Sequence, residues 1–301
     1  MLPRRNVLVF HNAALGDFVL TWPLAVALGR LHPQSRIIYI TAGSKGKLAE
    51  RALGVDSADV EAGWGALFSG TEPPPNVATT LTRTHAIYDL SAGTGTAWAA
   101  NIARLAPDAA MTHLAPRPPE EYARHATDFL VEQLAPRPAV RSAVEQILRW
   151  VADCGIGARR SPGNAVAIHP GSGSQAKNWP IGHFVELADV LRVRGRPVRF
   201  ILGEVERERW PASDVAALSA AGEIVTPADY TALLDVIATA AAFVGNDSGP
   251  AHLAGIVGVP TVGIYLSHKV ATWRPLGPRV TVLHGPALTD VTASSVAAAV
   301  G

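Results

Sequence analysis

The chain has 301 residues, which suits two domains at roughly 100–200 residues each. With 48% hydrophobic and 17% charged residues, against about 25% charged in ordinary globular chains, it can fill sizeable cores and is not a disordered chain. A formal charge of +1 argues against a nucleic-acid binder, and the single cysteine, Cys154, excludes an intrachain disulfide or a cysteine metal cluster and fits a reducing compartment.

The N-terminal run Asn6-Val7-Leu8-Val9-Phe10 is short and enters a polar turn, unlike an export signal. It reads as a buried strand over 6–11, followed by a helix over 17–31 and a second strand over 36–41. Helical stretches follow at 45–54 and 64–69, then a strand at 84–90, a helix at 95–105 and a strand at 109–114. A helix over 120–135 would hold Glu120 and Glu121 in its first turn, where negative charge suits the dipole. The Pro-rich stretches 73–75 and 116–119 read as loops.

The second half starts afresh with a strand over 165–168 that runs into His169-Pro170-Gly171-Ser172-Gly173-Ser174. Helices are expected at 181–194, 206–220, 229–241, 250–257 and 291–300, and strands at 197–202, 223–226, 242–246, 261–266 and 280–284. This alternation predicts an α/β fold of two doubly wound parallel sheets, whose strand ends face a shared cleft. Residues 158–164 have turn composition, dividing the chain into 1–160 and 161–301. The apolar stretches 13–28 and 251–266 are broken by Asp17 and Pro23 and by Gly255, Gly258 and Pro260, so neither reads as a membrane span.

Charge is uneven. Arg4, Arg5, Arg30, Arg36, Lys45, Lys47 and Arg51 face only Asp17 and Glu50 within residues 1–51. This surplus is either a solvated face or a surface for an anionic acceptor or anionic lipid.

Three loops after strands hold the candidate chemistry. In Ala13-Ala14-Leu15-Gly16-Asp17, Gly16 permits a tight turn and Asp17 opens a helix, either as a cap or as a general base. In 171–180, glycines and serines offer backbone N–H groups and hydroxyls to a phosphate, and Lys177, one of four lysines among 26 basic residues, adds a point charge. Residues 171–176 also match G-x-G-x-x-A, but Pro180 delays the helix beyond where a dinucleotide fingerprint needs it. In Gly245-Asn246-Asp247-Ser248-Gly249-Pro250-Ala251-His252, Asp247 or Ser248 can cap and Pro250 suits a first helical turn. The helix N-terminus then makes an anion site, with His252 one turn on. The ten histidines fall in no metal-ligand spacing.

Together the loops resemble glycosyltransferase family 9, the bacterial lipopolysaccharide heptosyltransferases. The likeness runs through Val7-Leu8-Val9-Phe10, Ala14-Leu15-Gly16-Asp17, Pro23-Leu24, Pro170-Gly171-Ser172, Lys177-Asn178-Trp179-Pro180, Gly245-Asn246-Asp247-Ser248-Gly249-Pro250, His252-Leu253-Ala254 and Gly258-Val259-Pro260-Thr261. The resemblance implies a GT-B architecture with an N-terminal acceptor domain and a C-terminal nucleotide-sugar domain. It implies an inverting, metal-independent transferase with no cofactor beyond its substrate, typically ADP-heptose, and Asp17 as base and Lys177 on the leaving diphosphate. It places Ser172, Ser174, Asp247, Ser248, Gly249 and His252 at the donor, Glu206 or its neighbour Glu204 at the ribose, and Gly16 and His11 at the acceptor. The acceptor implied is an anionic glycolipid at the inner membrane surface, met by a cytoplasmic or peripheral protein with no protein partner. Members commonly carry a basic residue where this chain has His11-Asn12, and Gly-Pro-Thr where it has Leu266-Ser267-His268.

Overall fold

The computed structural model describes residues 5–69, 71–91, 96–157 and 162–301. Contacts divide the chain into two compact units, Met1–Tyr122 with Ala126–Arg149, and Ala123–His125 with Trp150–Gly301. Most of the turn expected to divide the chain, 158–161, lies outside the described residues.

The first unit is a five-stranded parallel sheet in the order β3-β2-β1-β4-β5, made of β1 (Asn6–His11), β2 (Arg36–Thr41), β3 (Asp56–Asp59), β4 (Thr84–Leu90) and β5 (Ala110–His113). Every residue of β1 is buried, as expected of a central parallel strand covered on both faces. Its core gathers Leu8, Phe10, Ile38, Ile40, Trp64, Leu67, Ile87 and Trp98, with both indole rings edge-on to Phe10.

The helix expected at 17–31 is two helices, α1 (Leu15–Leu20) and α2 (Trp22–Leu31). Pro23 lies in the first turn of α2 and has no N–H for the helix before it, while the Thr21 N–H and hydroxyl both turn back to the Phe18 carbonyl. Helices α3 (Gly43–Leu53), α4 (Ala66–Ser69), α5 (Pro75–Thr82) and α6 (Thr96–Leu105) follow. Residue 95, expected to start the last of these, lies outside the described residues. The Pro-rich stretch at 73–75 starts α5, because Pro75 suits a first helical turn. Residues 120–125 are not helical. Glu120 and Glu121 precede α7 (Ala126–Gln133), so they do not sit in its first turn. A long helix, α8 (Pro138–Cys154), follows.

The second unit is a six-stranded parallel sheet in the order β11-β10-β9-β6-β7-β8. Its strands are β6 (Val166–His169), β7 (Val198–Ile201), β8 (Glu223–Val225), β9 (Ala242–Asn246), β10 (Thr261–Leu266) and β11 (Val280–Gly285). Helices α9 (Ile181–Val193), α10 (Glu204–Arg209), α11 (Ala212–Ala221), α12 (Tyr230–Ala238), α13 (Gly249–Ile256), α14 (Ser267–Trp273) and α15 (Ala293–Val300) complete it. Pro211 splits the helix expected at 206–220 into α10 and α11. Leu266-Ser267-His268 carries β10 straight into α14, a helix absent from the sequence reading.

Each sheet has one point where the strand order reverses, between β1 and β4 in the first unit and between β6 and β9 in the second. Open α/β sheets bind ligands outside the carboxyl ends of the strands at such points. The loop after β1 leads to Asp17. The loops after β6 and β9 lead to Lys177 and Asp247.

Candidate functional site

In the first unit, β1 ends at His11, which is fully buried and finds no hydrogen-bond partner for either ring nitrogen among the described residues. Burial first, then the nearby Lys45 and Arg117 cations, lower its pKa to about 3, so it is a neutral imidazole. Gly16 lies within α1 and has no positive φ, so the expected tight turn is not its task. Asp17 is the third residue of α1, not its opening residue, and α1 has no side-chain cap. Its carboxylate is 8% exposed and is held by Arg117, whose Nε donates to Oδ2 at 2.9 Å and whose Nη2 donates to the same oxygen. This pairing raises the Arg117 pKa. Lys45, in the first turn of α3, is also buried and donates from Nζ to the Ala13 carbonyl at 2.5 Å. Burial lowers its pKa and the Asp17 charge opposes that shift. Two cations, one of them holding the Asp17 carboxylate, therefore lie near a neutral histidine at the end of the central strand.

In the second unit, Asn246 fixes the loop that follows β6. It accepts the Trp179 N–H at 3.1 Å and donates to the Pro170 carbonyl at 2.7 Å, and it is fully buried. The Trp179 indole anchors the loop's far end by donating to the Val291 carbonyl at 2.9 Å. Between these anchors Lys177 donates to Asp247 Oδ2 at 2.7 Å. Ser248 is the N-cap of α13, yet its side chain makes no cap hydrogen bond. Its hydroxyl, the His252 Nδ1 and the Tyr265 hydroxyl are all buried without a partner among the described residues. Burial lowers the His252 pKa to about 4, with Asp247 opposing and His125 and Lys177 assisting. Burial and then the Asp247 charge push the Tyr265 phenol well up. Gly249 opens α13 and Pro250 sits in its first turn, leaving N–H groups for an anion.

Two expected donor residues are engaged within the protein. The Ser172 hydroxyl lies 2.7 Å from both the Ser174 carbonyl and Asn178 Oδ1, so it braces its own loop, while Ser174 is exposed. Of the two glutamates, Glu206 faces inward and Glu204 is exposed. Glu206 Oε2 accepts the Gly203 N–H at 2.9 Å and caps α10, while Oε1 lies where a side chain on Gly171 would stand, 2.0 Å from its ideal Cβ. Among the described residues, no group of three or more His, Cys, Asp or Glu side chains is placed to hold a metal ion.

Residues 123–294, more than half of the chain, match the model of glycosyltransferase family 9 (heptosyltransferase). The chain belongs to glycosyltransferase family 9. Among curated relatives, lipopolysaccharide heptosyltransferase 3 of Escherichia coli is 29% identical over 119 residues, a stretch covering 37% of this chain and 34% of that protein. Solved structures with the same fold include the E. coli heptosyltransferase WaaC with ADP (TM-score 0.67, 18% identity, 97% of each chain). They also include the E. coli ADP-heptose lps heptosyltransferase II (TM-score 0.71, 17% identity, 98% of this chain and 97% of that one). The iron-containing dodecameric glycosyltransferase TibC from enterotoxigenic E. coli H10407 shares the fold at lower similarity (TM-score 0.54, 16% identity, 96% of this chain and 66% of that one).

In this family 9 chain, sequence reasoning missed three residues. Arg117 sits in a proline run that carries no motif, and only the fold brings it to Asp17. Tyr265 hides in the apolar strand Thr-Val-Gly-Ile-Tyr-Leu. Asn246 is visible as the end of a strand, but its clamp on both ends of the Lys177 loop is not.

Proposed function

We propose that the chain is an inverting glycosyltransferase that moves a heptose from ADP-heptose to an anionic glycolipid acceptor of the lipopolysaccharide-core type, without a metal ion. The observation that carries this reading is the set of unpartnered buried groups, Ser248, His252 and Tyr265, beside the Lys177–Asp247 pair and the N-terminus of α13. A buried polar atom left unpaired costs about 1–3 kcal/mol, so three together point to a ligand that supplies the missing bonds. Family membership and the ADP named with the WaaC structure support a nucleoside diphosphate there.

The second unit takes the donor. Lys177 and the α13 N–H groups meet the negative charge that develops on the diphosphate as the bond to the anomeric carbon breaks. Preorganised donors of this kind are worth about 3–4 kcal/mol each. Asp247 orients the Lys177 ammonium, His252 and Ser248 complete the contacts, Ser172 and Ser174 line the phosphates, and Glu206 reaches the ribose through Oε1. The first unit takes the acceptor through His11, Gly16 and the neighbouring cations. Asp17 accepts the proton of the acceptor hydroxyl as its oxygen attacks opposite the leaving group, which inverts the anomeric centre. A positioned base of this kind contributes about 10²–10⁴-fold. Among the described residues no helix is long and apolar enough to cross a membrane. We place the protein in the cytoplasm, peripheral on the inner membrane face where such an acceptor lies.

Thermal melts of the whole chain in EDTA with ADP, UDP, GDP or NAD test the reading. ADP is expected to stabilise most, by about 2.7 kcal/mol at a hundredfold excess over Kd. A preference for UDP or GDP discards ADP-heptose as donor, and no response to any nucleotide discards the donor site. If stabilisation by ADP appears only when EDTA is replaced by a divalent metal, metal independence is wrong.

A further inference from the structure

The Asp17–Arg117 pair bears on more than orientation. Both guanidinium N–H bonds go to one carboxylate oxygen, Oδ2, and they join a side chain that is 8% exposed to one that is 56% exposed. The two N–H groups take both lone pairs of Oδ2, so while the pair is closed only Oδ1 is left to accept a proton, and it belongs to a side chain with little exposure. The backbone that carries Arg117 is restrained on both sides. Gln133 on α7 accepts the Ala115 N–H at 2.6 Å and donates to the Ala115 carbonyl at 3.2 Å, and Pro116, Pro118 and Pro119 flank the arginine. What is left to move is the exposed side chain. Lys45, by contrast, is buried and stays on the Ala13 carbonyl, so a cation remains beside Asp17 when the guanidinium turns away.

We infer that Arg117 is a specificity-determining residue: it covers Asp17 until an anionic group of the acceptor, a phosphate or a carboxylate, takes the guanidinium, so that transfer is conditional on that anion. The inference rests on the reading of Asp17 as the base. In the released state the acceptor hydroxyl proton passes to Asp17 Oδ2. The hydroxyl oxygen bonds to the anomeric carbon, and the electrons of the breaking carbon–oxygen bond leave with the diphosphate. Arginine suits the task because its planar fork binds a carboxylate of the protein and a phosphate or carboxylate of the ligand in the same way.

The test compares wild type, Arg117→Ala and Arg117→Lys, with ADP-heptose as donor and three acceptors: heptose-deficient lipopolysaccharide core, the same core dephosphorylated, and the same core with its carboxyl groups reduced. Wild type is expected to lose about tenfold or more in kcat/KM on whichever core lacks the recognised anion, the effect of about 1.4 kcal/mol. Arg117→Ala is expected to lose this discrimination, its kcat/KM values converging, with Arg117→Lys between the two. An equal loss by Arg117→Ala on all three cores overturns the proposal, as does wild type that does not discriminate. Asp17→Asn that still transfers overturns the base reading instead, whatever Arg117→Ala does. A readout without any acceptor follows carbodiimide labelling of Asp17 by mass spectrometry, with inorganic sulfate as the anion. Labelling is expected in Arg117→Ala, and in wild type only when sulfate is present. Equal labelling of both proteins with and without sulfate overturns the proposal.

Discussion

In the proposed function Lys177 meets an incoming diphosphate as a cation that already has a partner, Asp247, at 2.7 Å. A charge held in place this way recognises phosphate but adds little for the rest of a nucleotide. Lys177→Ala is therefore expected to weaken ADP at least tenfold while leaving adenosine nearly unaffected in calorimetric titration; equal losses would make it a merely structural residue. The two buried histidines carry a pH dependence whose sign is fixed. Both have folded pKa values below the unfolded 6.5, about 3 for His11 and about 4 for His252, so between those values and 6.5 the unfolded chain binds more protons than the folded one. Their stabilising effect is complete above pH 6.5 and is lost as pH falls toward 4 and then 3, by up to about 1.4 kcal/mol per pH unit for each group. Urea unfolding of His11→Leu between pH 7 and 4.5 is expected to show a shallower loss than wild type; an unchanged slope would remove His11 from that account.

Elements were legible where burial dictates composition. Strands such as β1 and β9 read correctly because a central parallel strand is apolar on both faces. The edge strand β3 did not, since Asp56-Ser57-Ala58-Asp59 has no apolar run and is held by pairing with β2. Proline was the second source of error. Pro23 and Pro211 each split an expected helix, and Pro75 started one where a loop was expected. The candidate site was legible as three strand-end loops because glycine, serine and aspartate collect where a strand gives way to a turn or a helix start. Arg117 was not, since nothing local links it to Asp17. Gly171 joins local sequence to the site. A methyl group there would stand 2.0 Å from Glu206 Oε1, so Gly171→Ala is expected to cost about 1–3 kcal/mol of stability and to weaken ADP by displacing that carboxylate. Urea melts and ADP titration of that variant check both effects. An unchanged protein would mean that the loop yields more easily than its anchors at Asn246 and Trp179 suggest.

At the scale of the whole molecule, the two sheets use one rule twice: each places its candidate site residues after the strands at which the winding reverses. The basic surplus of residues 1–51, which the sequence leaves as either a solvated face or a surface for anions, is partly engaged within the protein. Lys45 is buried on the Ala13 carbonyl, and Arg36 pairs with Asp56 at 2.8 Å. Raising ionic strength is therefore expected to weaken acceptor use less than a fully exposed basic face would require. A steep rise of acceptor KM between low and physiological salt would show that the exposed members of the set dominate.

The assignment of Ala123–His125 to the second unit also bears on how this protein and its relatives can be recombined. The chain passes between units at 122/123, 125/126 and 149/150, so neither half is a continuous cassette. His125 Nε2 lies 2.9 Å from the Arg274 carbonyl, a bond that belongs to the second unit although its donor is encoded far upstream of that unit's main body. A hybrid joined only at 149/150 inherits that short segment from the wrong parent. One that also exchanges 123–125 keeps the bond, worth about 1 kcal/mol, and is expected to unfold at higher urea. Inheritance of the second unit thus includes three residues embedded in the first unit's sequence, and any exchange of units between relatives has to carry them along.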